Sequence, residues 1–138
     1  MIGIVVITHG SFSKELIETV KLIMGEQKDL VAITLNAKDS LDTLREKAVQ
    51  EINAFKDSGC LVLTDLVGGS PTNVCMEFIK TDWARVVCGV NLPMIMAALQ
   101  SRDKVDLPTL VTRTRDGAIK GIIDLKAFYE ERAKKKGP

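Results

Sequence analysis

The only histidine of the chain, His9, follows an apolar and largely β-branched segment at residues 2–7. Such a segment is typical of a buried β-strand, so the imidazole is expected where that strand ends. A neutral imidazole has one lone pair, and a carboxylate that accepts a hydrogen bond from Nδ1–H leaves Nε2 as a nucleophile. Asp65, which ends a second apolar segment at residues 60–64, is the candidate for that carboxylate. The two residues together could form a nucleophilic histidine.

A glycine-rich turn follows this aspartate at Gly68, Gly69 and Ser70. Two glycines allow backbone N–H groups to approach an anion closely, the serine hydroxyl adds a donor, and a following helix adds partial positive charge. Gly10 and Ser11, at the start of the first predicted helix, are expected to offer similar donors from the other side. A nucleophilic imidazole beside such donors suits transient storage of a phosphoryl group, which depends on positioning and charge stabilisation.

Each of these features also has an ordinary structural explanation. A histidine at a strand end is often a polar loop residue, a Gly-Gly-Ser-Pro turn often does no more than begin a helix, and Asp65 could be a turn or capping aspartate. Their coincidence at one place in the predicted fold favours the functional interpretation.

The elements that must position these residues alternate between short apolar runs and amphipathic stretches. Strands are predicted at 2–7, 30–35, 60–64 and 84–88, and helices at 13–24, 40–57 and 70–80, after Pro93 and from Asp106. This alternation predicts an α/β protein with a doubly wound parallel sheet, and the length suits the flavodoxin-like strand order 2-1-3-4. In that order the ends of the first and third strands are neighbours, so His9 and the turn after Asp65 converge on one crevice.

The end of the chain is less regular. Residues Ile119–Leu125 could form a fifth short strand, and the segment after it is helical in pattern and strongly charged. We therefore expect one domain at residues 1–125 and a charged C-terminal tail at residues 126–138.

Composition excludes several classes of protein. A formal net charge of +1 gives no indication of nucleic-acid binding, and the 3 cysteines lack the C-x-x-C spacing of a metal or redox site. A single histidine provides no two-histidine metal site, so neither a metal nor a cofactor is expected. The N-terminal apolar run is too short to span a membrane and has no basic flank, which predicts a cytoplasmic protein.

Three motifs resemble one known family. They are Thr-His-Gly at 8–10, Asp-x-x-Gly-Gly-Ser-Pro-x-Asn at 65–73 and Gly-Val-Asn-Leu-Pro-Met at 89–94. In order and spacing they are similar to the IIA domain of the mannose family (mannose, fructose and sorbose) of the sugar phosphotransferase system, over residues 1–125. The resemblance implies a flavodoxin-like domain that takes a phosphoryl group from HPr and passes it to a IIB component. That component phosphorylates sugar arriving through the membrane components IIC and IID.

The resemblance also implies roles for particular residues. His9 would be the phosphoacceptor, Asp65 its hydrogen-bonding partner, and Gly68–Ser70 the phosphate-binding turn. The residues expected to border the surface where partner proteins dock are Asn91, Leu92 and Pro93. In the family a fifth, antiparallel strand is exchanged between the subunits of a homodimer, so residues 121–125 would pair with a partner subunit.

Other classes of protein fit the residues less well. A receiver domain needs an acidic pair for Mg²⁺ after the first strand, where this chain has Thr8 and His9. A sirohydrochlorin-type chelatase or a histidine phosphatase needs a second histidine. The IIA-like phosphotransfer subunit of dihydroxyacetone kinase differs at the Gly-Gly-Ser-Pro turn. A regulatory IIA-like domain would be identical at the site, and the sequence leaves these last two alternatives open.

Overall fold

The computed structural model describes residues 1–135, in which short strands and helices alternate. The strands are β1 (Gly3–His9), β2 (Leu30–Leu35), β3 (Cys60–Thr64) and β4 (Ala84–Cys88). The helices are α1 (Phe12–Met24), α2 (Leu41–Asn53), α3 (Ser70–Asn73), α4 (Leu92–Ser101), α5 (Leu107–Lys120) and α6 (Leu125–Lys135). A single 3₁₀ turn at Met76–Phe78 lies between α3 and β4. Residues 136–138 of the predicted tail lie outside the described residues.

The four strands form one parallel sheet in the order β2-β1-β3-β4. The predicted α/β fold class and strand order are therefore confirmed. In the register of the central strands, Ile7 of β1 lies opposite Thr64 of β3. The chain thus leaves β1 at His9 and β3 at Asp65 on the same edge of the sheet.

Strand β1 is buried on both faces because helices cover both sides of the sheet. Its side chains alternate: Ile4 and Val6 pack with α1, α4 and α5, whereas Val5 and Ile7 pack with α2 and the segment around Phe78. Burial of each such side chain contributes about 1.5–3 kcal/mol. These two apolar layers hold the sheet edge that carries the candidate site.

The third helix is shorter than the sequence predicts. The expected helix over 70–80 is only α3, which has Gly69 as its N-cap and is followed by the 3₁₀ turn. Thr72, Asn73 and Val74 are poor helix formers, so packing decides the local geometry. Val74 and Phe78 are buried against the sheet, which bends the segment into two short turns.

No strand forms at Ile119–Leu125 in the described chain, so the predicted fifth strand is not confirmed. Helix α5 continues through Lys120, and α6 begins at Leu125. The buried positions of α5 recur at helical spacing as far as Ala118. Gly121 then lies against the Pro93 ring, where a side chain would collide with it.

Helix α2 also ends earlier than predicted, at Asn53 instead of residue 57. Residues 54–58 form turns instead, in which the Phe55 carbonyl accepts hydrogen bonds from Ser58 N–H and Gly59 N–H. In residues 1–135, no helix has the length and hydropathy of a membrane-spanning segment.

Candidate functional site

His9 is the last residue of β1, and its backbone position is fixed on both sides of the strand end. It lies in register with Leu35 of β2, and the carbonyl of Leu35 accepts a 2.7 Å hydrogen bond from the N–H of Gly10. Gly10 has a φ of +56°, in the left-handed region that glycine adopts without strain. The chain therefore turns sharply after His9 and leaves the imidazole at the open edge of the sheet.

Asp65 holds the imidazole through one of its carboxylate oxygens. Oδ2 lies 2.8 Å from His9 Nδ1 and accepts a 2.9 Å hydrogen bond from the backbone N–H of His9. The other oxygen, Oδ1, accepts from the N–H of Leu66 at 3.0 Å. An ionised carboxylate only accepts, so Nδ1 carries the proton and Nε2 of the neutral ring has a free lone pair.

The protonation state of Asp65 suits this role. Partial burial alone would raise the pKa of Asp65, but hydrogen bonds from the backbone N–H and the ring of His9 outweigh burial. The pKa of Asp65 consequently lies below the ordinary value for aspartate. The side chain of His9 is 48% exposed and that of Asp65 only 13%. The pair thus presents its imidazole outward and keeps its carboxylate inward.

Gly69 lies directly against the imidazole. A Cβ atom at this position would be 2.8 Å from His9 Cε1 and 3.5 Å from Nε2. Its backbone (φ −83°, ψ 163°) is one that any residue adopts, so the close approach is what requires glycine here. Gly68 is the opposite case, since its φ is +83° and a Cβ would meet nothing within 4 Å.

The turn between β3 and α3 offers backbone donors to an anion. Within residues 1–135, the N–H groups of Gly68, Gly69 and Ser70 donate to no protein acceptor. The side chain of Asn73 donates to the carbonyl of Gly68 at 3.4 Å, which braces the turn. Since α3 has only 4 residues, the expected contribution of a long helix to anion binding is absent.

The first loop offers less than the sequence predicts. The N–H of Gly10 already donates to Leu35, so Gly10 is not an amide donor for a phosphoryl group. Ser11 is the N-cap of α1, but its side chain makes no capping hydrogen bond and is exposed. In the described part of the chain, the hydroxyl of Ser11 is therefore free to bind an anion.

Asn91, Leu92 and Pro93 lie at the start of α4. The Asn91 side chain caps this helix, accepting from Met94 N–H at 2.9 Å, and donates to the carbonyl of Ala118 at 3.2 Å. These contacts join α4 to α5, and the structure records none between Asn91 and His9. The residue therefore has a structural task in addition to any part in docking.

Sequence analysis missed two buried threonines behind the site. Thr64 ends β3 and Thr72 lies in α3, and their hydroxyl oxygens are 2.7 Å apart. The Thr72 hydroxyl also donates to the carbonyl of Leu66, the residue that follows Asp65. The signal in the sequence is weak: one threonine ends an apolar strand, and a second lies within the helix predicted at 70–80.

The fold and the pair of His9 and Asp65 define a class of protein: a doubly wound α/β domain with an oriented histidine at the carboxyl edge of its sheet. The family model described as the PTS system fructose IIA component, where PTS is the phosphotransferase system, matches residues 3–114. The chain belongs to this family, and the resemblance inferred from its motifs is confirmed.

Individual relatives agree with this assignment. The chain is 31% identical over 117 residues to the PTS system fructose-specific EIIA component of Bacillus subtilis (strain 168), covering 83% of this chain and 80% of the relative. It is 32% identical over 137 residues to the mannose-specific EIIAB component of Escherichia coli (strain K12), covering 96% of this chain but 42% of that longer protein. The crystal structure of the EIIA component from Streptococcus agalactiae superimposes with a TM-score of 0.85 at 33% identity, covering 92% of this chain and 99% of that one.

Proposed function

We propose that this protein is a phosphocarrier that accepts a phosphoryl group from phospho-HPr on Nε2 of His9 and passes it to a IIB component. One observation carries the proposal: Asp65 Oδ2 lies 2.8 Å from Nδ1, which leaves the lone pair of the neutral ring on the exposed Nε2. Membership of the family supports the direction of transfer from HPr to IIB and then to sugar entering through IIC and IID.

The chemistry of acceptance follows from this arrangement. The Nε2 lone pair forms the new bond to phosphorus while the P–N bond of phospho-HPr breaks and its electron pair returns to the donor imidazole. The His9 ring gains positive charge, which the adjacent Asp65 carboxylate stabilises. The amides of Gly68, Gly69 and Ser70, with the hydroxyls of Ser70 and Ser11, bind the phosphoryl oxygens. Transfer to IIB is the same step with the phosphorylated His9 as donor.

A partner protein must approach the open edge of the sheet to reach Nε2. Phe12, Leu66 and Val67 adjoin the site in sequence and are exposed apolar side chains. We assign the docking of HPr and IIB to this surface, bordered by the turn at Asn91, Leu92 and Pro93. Exposed apolar side chains grouped in this way suit a protein–protein contact surface. The reaction would take place in the cytoplasm, with residues 1–125 as the phosphotransferase domain and residues 126–138 as a charged tail.

We further propose that the protein acts as a homodimer. No residue of α6 is buried in the single chain, although the segment contains Leu125, Phe128 and Tyr129. Ile119 and Ile122 are also exposed and line a cleft beside β4, the edge strand of the sheet. A second copy of the chain would cover this apolar surface. The family resemblance, in which subunits exchange a segment after the fourth strand, supports this occupant.

The phosphocarrier role is tested by intact-mass spectrometry after incubation with phosphoenolpyruvate, enzyme I and HPr. The wild-type protein is expected to gain one phosphoryl group that is lost in mild acid, as phosphohistidine is. His9→Gln, which retains the size of the side chain without a nucleophilic nitrogen, should gain none. A mass gain that persists in His9→Gln would refute the assignment of His9, and no gain in either protein would refute the phosphocarrier role.

A further inference from the structure

Leu66 connects the buried interior to the candidate site through its backbone. Its N–H donates to Asp65 Oδ1 at 3.0 Å, and its carbonyl accepts a 2.5 Å hydrogen bond from the Thr72 hydroxyl. The first bond orients the carboxylate that holds His9. The second fixes the position of the residue that makes the first bond.

The directions of these hydrogen bonds are determined by simple counting. A carbonyl oxygen only accepts, so the single hydroxyl hydrogen of Thr72 is committed to Leu66. The Thr64 hydroxyl, 2.7 Å from that of Thr72, must therefore be the donor in their contact. Thr64 is 0% exposed and Thr72 9% exposed, so water does not replace either bond readily. The hydrogen bonds therefore have one possible direction: the Thr64 hydroxyl donates to Thr72, and the Thr72 hydroxyl donates to the carbonyl of Leu66.

The first donor in this series of hydrogen bonds, Thr64, is held within the sheet. Thr64 pairs with Ile7 of β1 and with Cys88 of β4, so a neighbouring strand holds it on each side. The Cys88 sulfur also lies 3.7 Å from the Thr72 hydroxyl. The sheet, through Thr64 and Thr72, therefore fixes the position of the Leu66 carbonyl, and the exposed turn does not.

The same carbonyl also lies beside Gly69. A Cβ on Gly69 would be 3.7 Å from the Leu66 oxygen and 2.8 Å from His9 Cε1. A shift of the Leu66 backbone would therefore disturb two contacts of the imidazole, the carboxylate on one side and Gly69 on the other.

We propose that Thr72 is a positioning residue for phosphoryl transfer, acting through the backbone of Leu66 on Asp65 and Gly69. This inference rests on the proposed function of His9. Thr72→Val keeps the shape of the side chain and removes its hydroxyl, so the Leu66 carbonyl loses its donor. We expect transfer from phospho-HPr to slow by roughly tenfold or more, which corresponds to the loss of one buried hydrogen bond.

The chain provides a matched control. Thr114 of α5 is 0% exposed, and its hydroxyl has no hydrogen-bond partner among the described residues. Thr114→Val is the same chemical change at the same burial, and it should leave transfer at the wild-type rate. Thr72→Ser restores a hydroxyl and should recover most of the activity that Thr72→Val loses.

The first measurement is single-turnover transfer at several concentrations of phospho-HPr. Loss of positioning should lower the maximal rate of Thr72→Val and leave the half-saturating concentration of phospho-HPr unchanged. Thr64→Val, which keeps the bond from Thr72 to Leu66, should show a smaller loss. An unchanged maximal rate in Thr72→Val would overturn the proposal, as would a Thr72→Ser protein as slow as Thr72→Val.

The second measurement needs no phosphoryl donor and so separates this inference from the proposed function. ¹⁵N chemical shifts of the His9 ring, recorded in alkaline buffer, report which nitrogen carries the proton. The wild-type protein and Thr114→Val should show protonation at Nδ1, and Thr72→Val should show a mixture of the two tautomers. Identical ring shifts in all three proteins would overturn the inference even if transfer is slow. Failure of wild-type transfer with altered shifts in Thr72→Val would refute only the phosphocarrier role.

Discussion

At the scale of single residues, the carboxylate of Asp65 satisfies two sides of the site at once. Oδ2 accepts both hydrogen bonds from His9, and Oδ1 accepts the bond from Leu66. An asparagine has only one acceptor oxygen, so its amide group must face an N–H group on one side or the other. The native hydrogen bonds therefore require a carboxylate, which supplies two acceptor oxygens and the negative charge beside the His9 ring.

Asp65→Asn is expected to slow transfer from phospho-HPr by at least about 100-fold; the corresponding change in a serine protease triad costs about 10⁴-fold. The amide either favours the wrong tautomer of His9 or leaves the Leu66 N–H without an acceptor, and it cannot stabilise the charged ring. Quenched-flow sampling with intact-mass detection measures the rate. Asp106→Asn is the control, because Asp106 only caps α5 and asparagine caps a helix equally well. Equal rates for Asp65→Asn and the wild type would remove Asp65 from the mechanism.

The lowered pKa of Asp65 also predicts how stability depends on pH. The folded state holds the Asp65 proton less tightly than the unfolded state, in which the aspartate pKa is about 3.9. The stabilisation is therefore complete above that pH and is lost as the pH falls through the lower, folded value. In urea unfolding, the difference in free energy between wild type and Asp65→Asn should be constant near neutrality and shrink below about pH 4. A difference that stays constant into strong acid would contradict this linkage.

The two adjacent glycines should fail in different ways. Gly69→Ala places a methyl group 2.8 Å from His9 Cε1, so the ring must move and transfer should fall by about 100-fold with little change in stability. Gly68→Ala has room for the methyl group but a φ of +83°, so it should lower the free energy of unfolding by about 1 kcal/mol. Transfer rates and urea titrations of both variants, measured side by side, distinguish steric displacement from backbone strain. The reverse pattern would contradict both assignments.

Much of the candidate site can be predicted from the sequence, because its two central residues lie where strands end. His9 and Asp65 follow apolar runs, and neighbouring parallel strands bring their carboxyl ends together. The use of the Gly10 N–H by Leu35 could not be predicted, because it depends on the register between β1 and β2. Thr72 was missed for a similar reason, since only the packed structure shows that its hydroxyl faces inward.

At the scale of elements, the sequence is informative where a segment forms its own pattern and uninformative where tertiary packing decides. The strands and the long helices follow apolar spacing, and the predicted sheet order is confirmed. The length of α3 could not be predicted, because burial of Val74 and Phe78 overrides the helical pattern of the segment. Residues 119–125 have the composition of a strand. A strand also needs a neighbouring strand to pair with, and the sequence does not show whether a second copy of the chain provides one.

Arg102 illustrates how one side chain fixes two elements. It follows α4, is buried, and its guanidinium donates to the carbonyls of Lys28 and Asp29, just before β2. Arg102→Met retains the apolar stem and removes these charge-assisted bonds, so the free energy of unfolding should fall by about 2–3 kcal/mol. Urea unfolding measures the loss, with Arg113→Met on the exposed face of α5 as the control. Equal stability of the two variants would show that the bonds of Arg102 contribute nothing net.

At the scale of the whole molecule, one group of exposed apolar residues lies together near the C-terminal end of the described chain. Both faces of the sheet are packed, yet the region from Ile119 to Tyr129 leaves its large apolar side chains exposed. An isolated helix of 11 residues without buried side chains is marginal in water. The segment therefore has the character of an interface, which the single chain leaves uncovered.

The dimer proposal can be tested with two exposed apolar residues at different places on the surface. Ile122 is 76% exposed and lines the cleft beside β4, whereas Leu22 of α1 is 88% exposed and does not. Gel filtration with light scattering should give twice the mass of one chain for the wild type and for Leu22→Lys. Ile122→Lys should lower the apparent mass towards that of one chain at micromolar concentration, because dimerisation would bury a charge without a partner. A shortened protein that ends at Lys120 should be monomeric. Dimers of unchanged stability in both altered proteins would place the interface elsewhere, and a monomeric wild type would refute the dimer.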